Sequence, residues 1–234
     1  EYKPQTWRYT ASTSQQDRAG NAVKLTSAEF AGFTGSFMVA PAGTGTGVPG
    51  SSPTSTPTRG VDFESYGIKY LNGSFEGRFV YDKTLNQKGA YSIPGYRNAG
   101  NVVSADTAIT YAAAVSTETL NRNIVGLSYD FQIAKLAYIY ADSGNSKGSM
   151  STNTVGISVP YDNFRFAMSY GWGHYADSKS TAATTGSLGD TTLGVYYNFD
   201  KSTSAYLLTS HQSSTQTGYS GYTNTTAIGV RYNF

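Results

Sequence analysis

Residues 164–175 read FRFAMSYGWGHY. Successive side chains of an extended strand point to opposite sides, so Phe164, Phe166, Met168, Tyr170 and Trp172 share one face. Arg165, Ala167, Ser169, Gly171 and Gly173 share the other. The second set is too small and too charged to fill a dry core, but it suits a wet lumen. The first set is large and apolar with aromatics toward both ends, as a strand crossing a bilayer presents to lipid. The stretch predicts a transmembrane β-strand with a polar inner face and an apolar outer one.

The same period-two pattern recurs along the chain, and no segment follows a period of 3.6 convincingly. Val125, Leu127, Tyr129 and Phe131 oppose Ile124, Gly126, Ser128 and Asp130. Leu193, Val195, Tyr197 and Phe199 oppose Thr192, Gly194, Tyr196 and Asn198. Residues 66–71, 75–82, 134–141 and 154–159 repeat it. Eleven strands follow, at 21–27, 33–41, 62–72, 74–83, 117–131, 133–142, 150–160, 163–177, 189–199, 203–212 and 223–234. Short turns near 27–32, 72–73, 130–133, 160–163 and 199–202 alternate with long polar loops near 43–61, 84–116, 142–150, 176–189 and 212–222. A barrel with short turns at one rim and long loops at the other gives that rhythm. A soluble β-sandwich would not keep one class of loop on every second connection.

Composition points the same way. The 234 residues include 20 Tyr, 11 Phe and 26 Gly, and only 14% are charged. With no cysteine there is neither a disulfide framework nor a thiolate metal site. A net charge of +2 does not suit a nucleic-acid partner. No apolar run of about 18 residues exists to form a membrane-spanning helix. The opening EYKPQTWRYT does not read as a signal peptide. A mean hydropathy of −0.37 is what alternation of lipid-facing and water-facing residues averages to.

The chain ends on IGVRYNF at 228–234, with Ile228, Val230, Tyr232 and Phe234 on one face. This aromatic carboxy terminus resembles the insertion signal of outer-membrane proteins. RAGNAVKLTSAEFAGFTGSFMVA at 18–40, YGIKYLNGSFEGRFVYD at 66–82, VGLSYDFQIAKLAYIYAD at 125–142 and VGISVPYDNFRFAMSYG at 155–171 extend the likeness. LGVYYNFDKSTSAYLLTSH at 193–211 and AIGVRYNF at 227–234 complete it. In order and spacing these segments resemble the general porins of Gram-negative bacteria, of the Burkholderia–Comamonas type. The resemblance covers 18–234 and implies an all-β transmembrane antiparallel barrel. It further implies sixteen strands and a homotrimer in contact with outer-membrane lipid and lipopolysaccharide. The eleven strands would then be the last eleven of the barrel, a carboxy-terminal portion. Residues 1–17 would be the tail of the inward-folded constriction loop, and 18–234 the barrel strands with periplasmic turns and extracellular loops.

Lumen-phase positions carry Lys24, Lys69, Arg78, Arg122, Lys135, Arg165 and Arg231, against Glu76, Asp82 and Asp130. This basic excess predicts a pore that concentrates small anions, an effect fading at high salt. By resemblance, Arg18 joins them as a member of the arginine cluster at the constriction. The expected function is passive diffusion of small hydrophilic solutes and ions, with no catalysis, cofactor or metal. The only histidines, His174 and His211, belong to no visible triad. GTGTGVPG at 43–50 precedes no helix and reads as a loop, not a phosphate cradle. Two alternatives stand beside the diffusion pore. A substrate-specific channel would need an aromatic track inside, where only Tyr196 and Tyr206 take lumen phase. A self-contained twelve-stranded barrel, protease or autotransporter-like, would need residues 4–11 as a further strand.

Overall fold

In a computed structural model the described residues are 22–41, 61–87, 92–93, 109–110, 118–144, 148–177, 184–200, 202–216 and 219–232. They form β1 (Val23–Thr26), β2 (Phe33–Pro41), β3 (Val61–Asn72), β4 (Phe75–Gln87), β5 (Ser92–Ile93), β6 (Ile109–Thr110) and β7 (Glu118–Asp130). Then come β8 (Lys135–Gly144), β9 (Gly148–Tyr161), β10 (Phe164–Asp177), β11 (Thr184–Asn198), β12 (Thr203–Gln216) and β13 (Tyr219–Tyr232). Eleven strands make one antiparallel sheet in the order β1-β2-β3-β4-β7-β8-β9-β10-β11-β12-β13, while β5 and β6 pair separately. Apart from that two-residue pairing inside the expected 84–116 loop, each strand is hydrogen-bonded to its neighbour in sequence. Residues 4–11, on which a twelfth strand would depend, lie outside the described residues.

Two of the short connections place residues that accept left-handed backbone where the turn needs it. Gly73 takes φ +54 at the first position of the two-residue β3–β4 turn, where such hairpins require it. Asp162 does the same with φ +52 between β9 and β10, a conformation aspartate tolerates. In the β11–β12 turn, Asp200 Oδ1 accepts hydrogen bonds from Ser202 N at 2.6 Å, Ser202 Oγ at 2.7 Å and Thr203 N at 2.8 Å. These bonds, the Ser202 hydroxyl first, hold the Asp200 carboxyl down at about 2.

The long-loop end differs from expectation. β10 runs to Asp177, β11 begins at Thr184, β12 reaches Gln216 and β13 begins at Tyr219, so the strands invade the loops expected at 176–189 and 212–222. Apart from Leu188, the segments TTGSLGDTT and TSHQSSTQ are polar on both faces. Their threonines still sustain a ladder, because β-branched side chains suit the pleat and both faces can be wet beyond the lipid.

The register staggers across the sheet. The rung through Phe75 passes Tyr129, Leu136, Ile157, Met168, Leu193 and Thr209 and meets β13 at Thr226, six residues short of Tyr232. Such a shift means strands inclined to the axis, as rolling a sheet into a barrel demands. Burial shows the direction of the roll. Small residues on one face are shielded, with Ala141 1%, Thr152 4% and Ser210 4% exposed. Large residues on the other face remain open, with Phe166 and Met168 both at 45% and Leu207 at 50%. A sheet curled toward its small-residue face crowds that side and splays the other. The chain has the fold of an outer-membrane β-barrel wall, all-β and antiparallel.

Candidate functional site

The outer face is zoned along the strands. At the short-turn rim Phe33 stacks near Tyr70 at 4.5 Å, and Tyr197 lies 4.9 Å from Phe164 and 5.0 Å from Phe199. Above this girdle come aliphatic residues, among them Ile68, Leu127, Leu136, Val155, Ile157, Met168, Leu193 and Leu207, each more than a third exposed. A second girdle includes Tyr66, Tyr81, Tyr138, Tyr170 and Trp172. Its phenols turn toward the polar zone beyond: Tyr81 donates to Asn121 Oδ1 at 2.8 Å and Tyr138 to Asn153 Oδ1 at 2.7 Å. Phe164 to Trp172 spans about 26 Å of strand, or about 20 Å of depth at a tilt of about 40°. Two aromatic belts around an aliphatic band match a bilayer's interfaces and core.

The inner face carries the basic residues. The strand register puts Lys24, Lys69, Arg78, Arg122, Lys135, Arg165 and Arg231 all on it, together with Glu76, Asp82 and Asp130. Ile228, Val230 and Tyr232 fall on the outer face. Arg18 and Phe234 lie outside the described residues. His174 and His211 both take the outer phase, above the apolar band; His211 Nδ1 sits 2.7 Å from Asn224 Oδ1. Among the described residues no three His, Cys, Asp or Glu side chains gather where a metal could be held.

Two ion pairs form on the inner face among the described residues. Asp82, 3% exposed, lies directly opposite Arg122, whose Nε donates to its Oδ2 at 2.9 Å and whose Nη2 donates to the same oxygen. Arg78 turns along its own strand to Glu76. That relieves the repulsion of Arg78 with Lys69, which stands directly across from it on β3. The basic excess therefore comes mainly from Lys24, Lys69, Lys135 and Arg165, which take part in neither pair.

Five of the basic residues lie toward the short-turn rim. Lys135 opens β8, Arg165 is second in β10, Arg231 is next to last in β13, and Lys69 and Arg78 stand three residues from the β3–β4 turn ends. All five are within about 13 Å of the short-turn rim. Lys135, Arg165 and Arg231 are two or three strands apart, about 10–14 Å. That spacing is near the Debye length of about 8–10 Å at moderate salt, so their potentials overlap in dilute salt and separate in concentrated salt.

Three inner-face features were not read from the sequence. Asp190 is 1% exposed and accepts hydrogen bonds from Thr192 Oγ1 at 3.1 Å and Ser210 Oγ at 3.3 Å. Met150, Tyr175 and Leu188 bury one another on the inner face near the long-loop end. Phe63 also takes inner phase, on the same rung as Ala40. Extending the alternation of 164–175 by its last residue would have found Tyr175. Asp190 lies inside the strand expected at 189–199, but ahead of the alternation that begins at Thr192.

No protein-family model and no curated relative matches this sequence. Solved structures do. The chain is similar to the anion-selective porin from Comamonas acidovorans, with a TM-score of 0.65 and 17% identity, over 93% of this chain and 60% of that one. It is also similar to the outer-membrane expressed OmpT of Vibrio cholerae, with a TM-score of 0.59 and 16% identity, over 90% of this chain and 64% of that one. The chain spans about three fifths of either structure. At these identities the likeness speaks for the barrel fold.

Proposed function

We propose that this chain forms part of the wall of a water-filled channel in a bacterial outer membrane. It passes small hydrophilic solutes and ions by diffusion, with a preference for anions. The observation that carries this reading is the segregation of charge. The basic residues fall on the shielded inner face, while the outer face is an aliphatic band between two aromatic girdles. A charged inner wall raises the local concentration of counter-ions, most strongly where water is confined between low-dielectric walls. The likeness to an anion-selective porin supports the reading, and so does the belt of lysine and arginine at the short-turn rim. We carry with it the homotrimeric state, the contact with lipopolysaccharide, the sixteen-stranded closure and the role of Arg18 at a constriction, and we assign no catalytic role to any residue.

Reversal potentials across a salt gradient test the proposal. The variant Lys135→Glu/Arg231→Glu should lose anion preference in dilute salt. Selectivity that ignores both substitutions would remove the electrostatic argument.

A further inference from the structure

One rung of the inner wall differs in kind from the rest. Arg165 on β10, Tyr196 on β11 and Tyr206 on β12 stand directly opposite one another, and the rung continues to Gly229 on β13. The Arg165 guanidinium carbon lies 4.0 Å from the Tyr196 ring centroid. The Tyr196 and Tyr206 centroids are 6.2 Å apart, with the rings tilted by 42°. A Cβ at Gly229 would sit 2.5 Å from Tyr206 Oη, so the phenol occupies the space that this glycine leaves on β13. Arg231 follows two residues along β13 on the same face.

This arrangement has the parts of a recognition site. Among the described residues Arg165 makes neither an ion pair nor a hydrogen bond, and its guanidinium lies over the Tyr196 ring. A stacked guanidinium keeps its edge donors available and matches a carboxylate bidentately, which an ammonium cannot do. The tyrosines extend the platform across two strand spacings, about 10 Å, the length of a small aromatic acid. Elsewhere on the described inner face no second arginine is stacked on a tyrosine.

Resting on the channel reading above, we propose that Arg165, Tyr196 and Tyr206 form a subsite for planar aryl carboxylates. The carboxylate docks on the Arg165 fork and the ring lies along Tyr206. The subsite slows these solutes at the short-turn rim and favours them over aliphatic acids of equal charge.

The test uses the protein in planar bilayers carrying chloride current, with benzoate or acetate added to one side. The readout is the ratio of their half-blocking concentrations, because a general change in pore charge or width moves both acids alike. Benzoate should block at lower concentration than acetate. Tyr206→Leu should raise the benzoate value about fivefold, the scale of one lost stacking contact, and leave acetate nearly where it was; Arg165→Lys, which removes the fork that holds either carboxylate, should raise both values. Arg165→Lys keeps the charge, and it covers the case in which Tyr206→Leu fails to fold. Ser128→Ala, on the same face but off the rung, should leave the ratio alone. Equal block by the two acids, a benzoate preference that survives Tyr206→Leu, or values untouched by Arg165→Lys overturns the subsite while the channel stands. Inserted protein that conducts nothing overturns both.

Discussion

Met168 and Ser169 are neighbours in β10 at nearly the same depth, yet they belong to opposite faces. Met168 stands between Ile157 and Leu193 on the outer face, midway between Phe164 and Trp172 and about 13 Å along the strand from either. Ser169 stands between Gly156 and Thr192 on the inner face. Placing arginine at each position asks which face meets lipid. At the middle of a bilayer, a lipid-facing arginine on a barrel costs about 2–4 kcal/mol. That lowers the ratio of folded to unfolded protein by about 30- to 700-fold. An arginine at Ser169 has Gly156 beside it, so it can extend into water and should change stability by no more than about 0.5 kcal/mol. Met168→Leu controls for loss of the thioether and should cost under about 1.5 kcal/mol. Urea titration of the vesicle-inserted protein, followed by tryptophan emission, gives all three values. Equal costs at 168 and 169, or a greater cost at Ser169, would refute the assignment of faces and with it the membrane reading.

Three further outcomes follow from particular contacts. Asp82→Asn strips the partner from Arg122, whose side chain is only 17% exposed. Breaking a fully buried pair costs about 3–5 kcal/mol, and the remaining hydration of Arg122 reduces this to about 2 kcal/mol in urea titration. The same substitution unmasks a cation and should shift the reversal potential toward anions. Asp200 has a folded value of about 2 against an ordinary 3.8, so its contribution is complete above the ordinary value and fades as pH falls toward 2. The gap in unfolding midpoint between the wild-type protein and Asp200→Asn should therefore be widest above about pH 5 and close near pH 2; a constant gap would refute it. The selectivity loss of Lys135→Glu/Arg231→Glu should vanish near 1 M salt, where the Debye length is about 3 Å, and reversal potentials at both ionic strengths would show it.

Much of the fold was legible because lipid on one side and water on the other force a strict period of two. Within the bilayer every second residue of β10 must be apolar, so FRFAMSYGWGHY announces both its strand and its faces. Beyond the bilayer that constraint lapses. In TTGSLGDTT only Leu188 is apolar, alternation disappears, and a strand reads as a loop. The basic residues share one face of the sheet for the same reason, since phase is a local property. Pairing is not local. Asp82 meets Arg122 across a connection of thirty residues, 88–117, and only the register of β4 on β7 brings them opposite. Tyr196 and Tyr206 read as two isolated lumen residues, too few for a track. The β11–β12 register sets them side by side, and the β10–β11 register adds Arg165.

The most direct test of the channel is conductance of the folded protein in a planar bilayer, with heat-modifiable mobility on a gel as proof of folding. The account predicts ohmic current steps and, in a gradient of potassium chloride, a reversal potential of the sign set by the more permeant chloride. Folded, inserted protein that passes no current would contradict it.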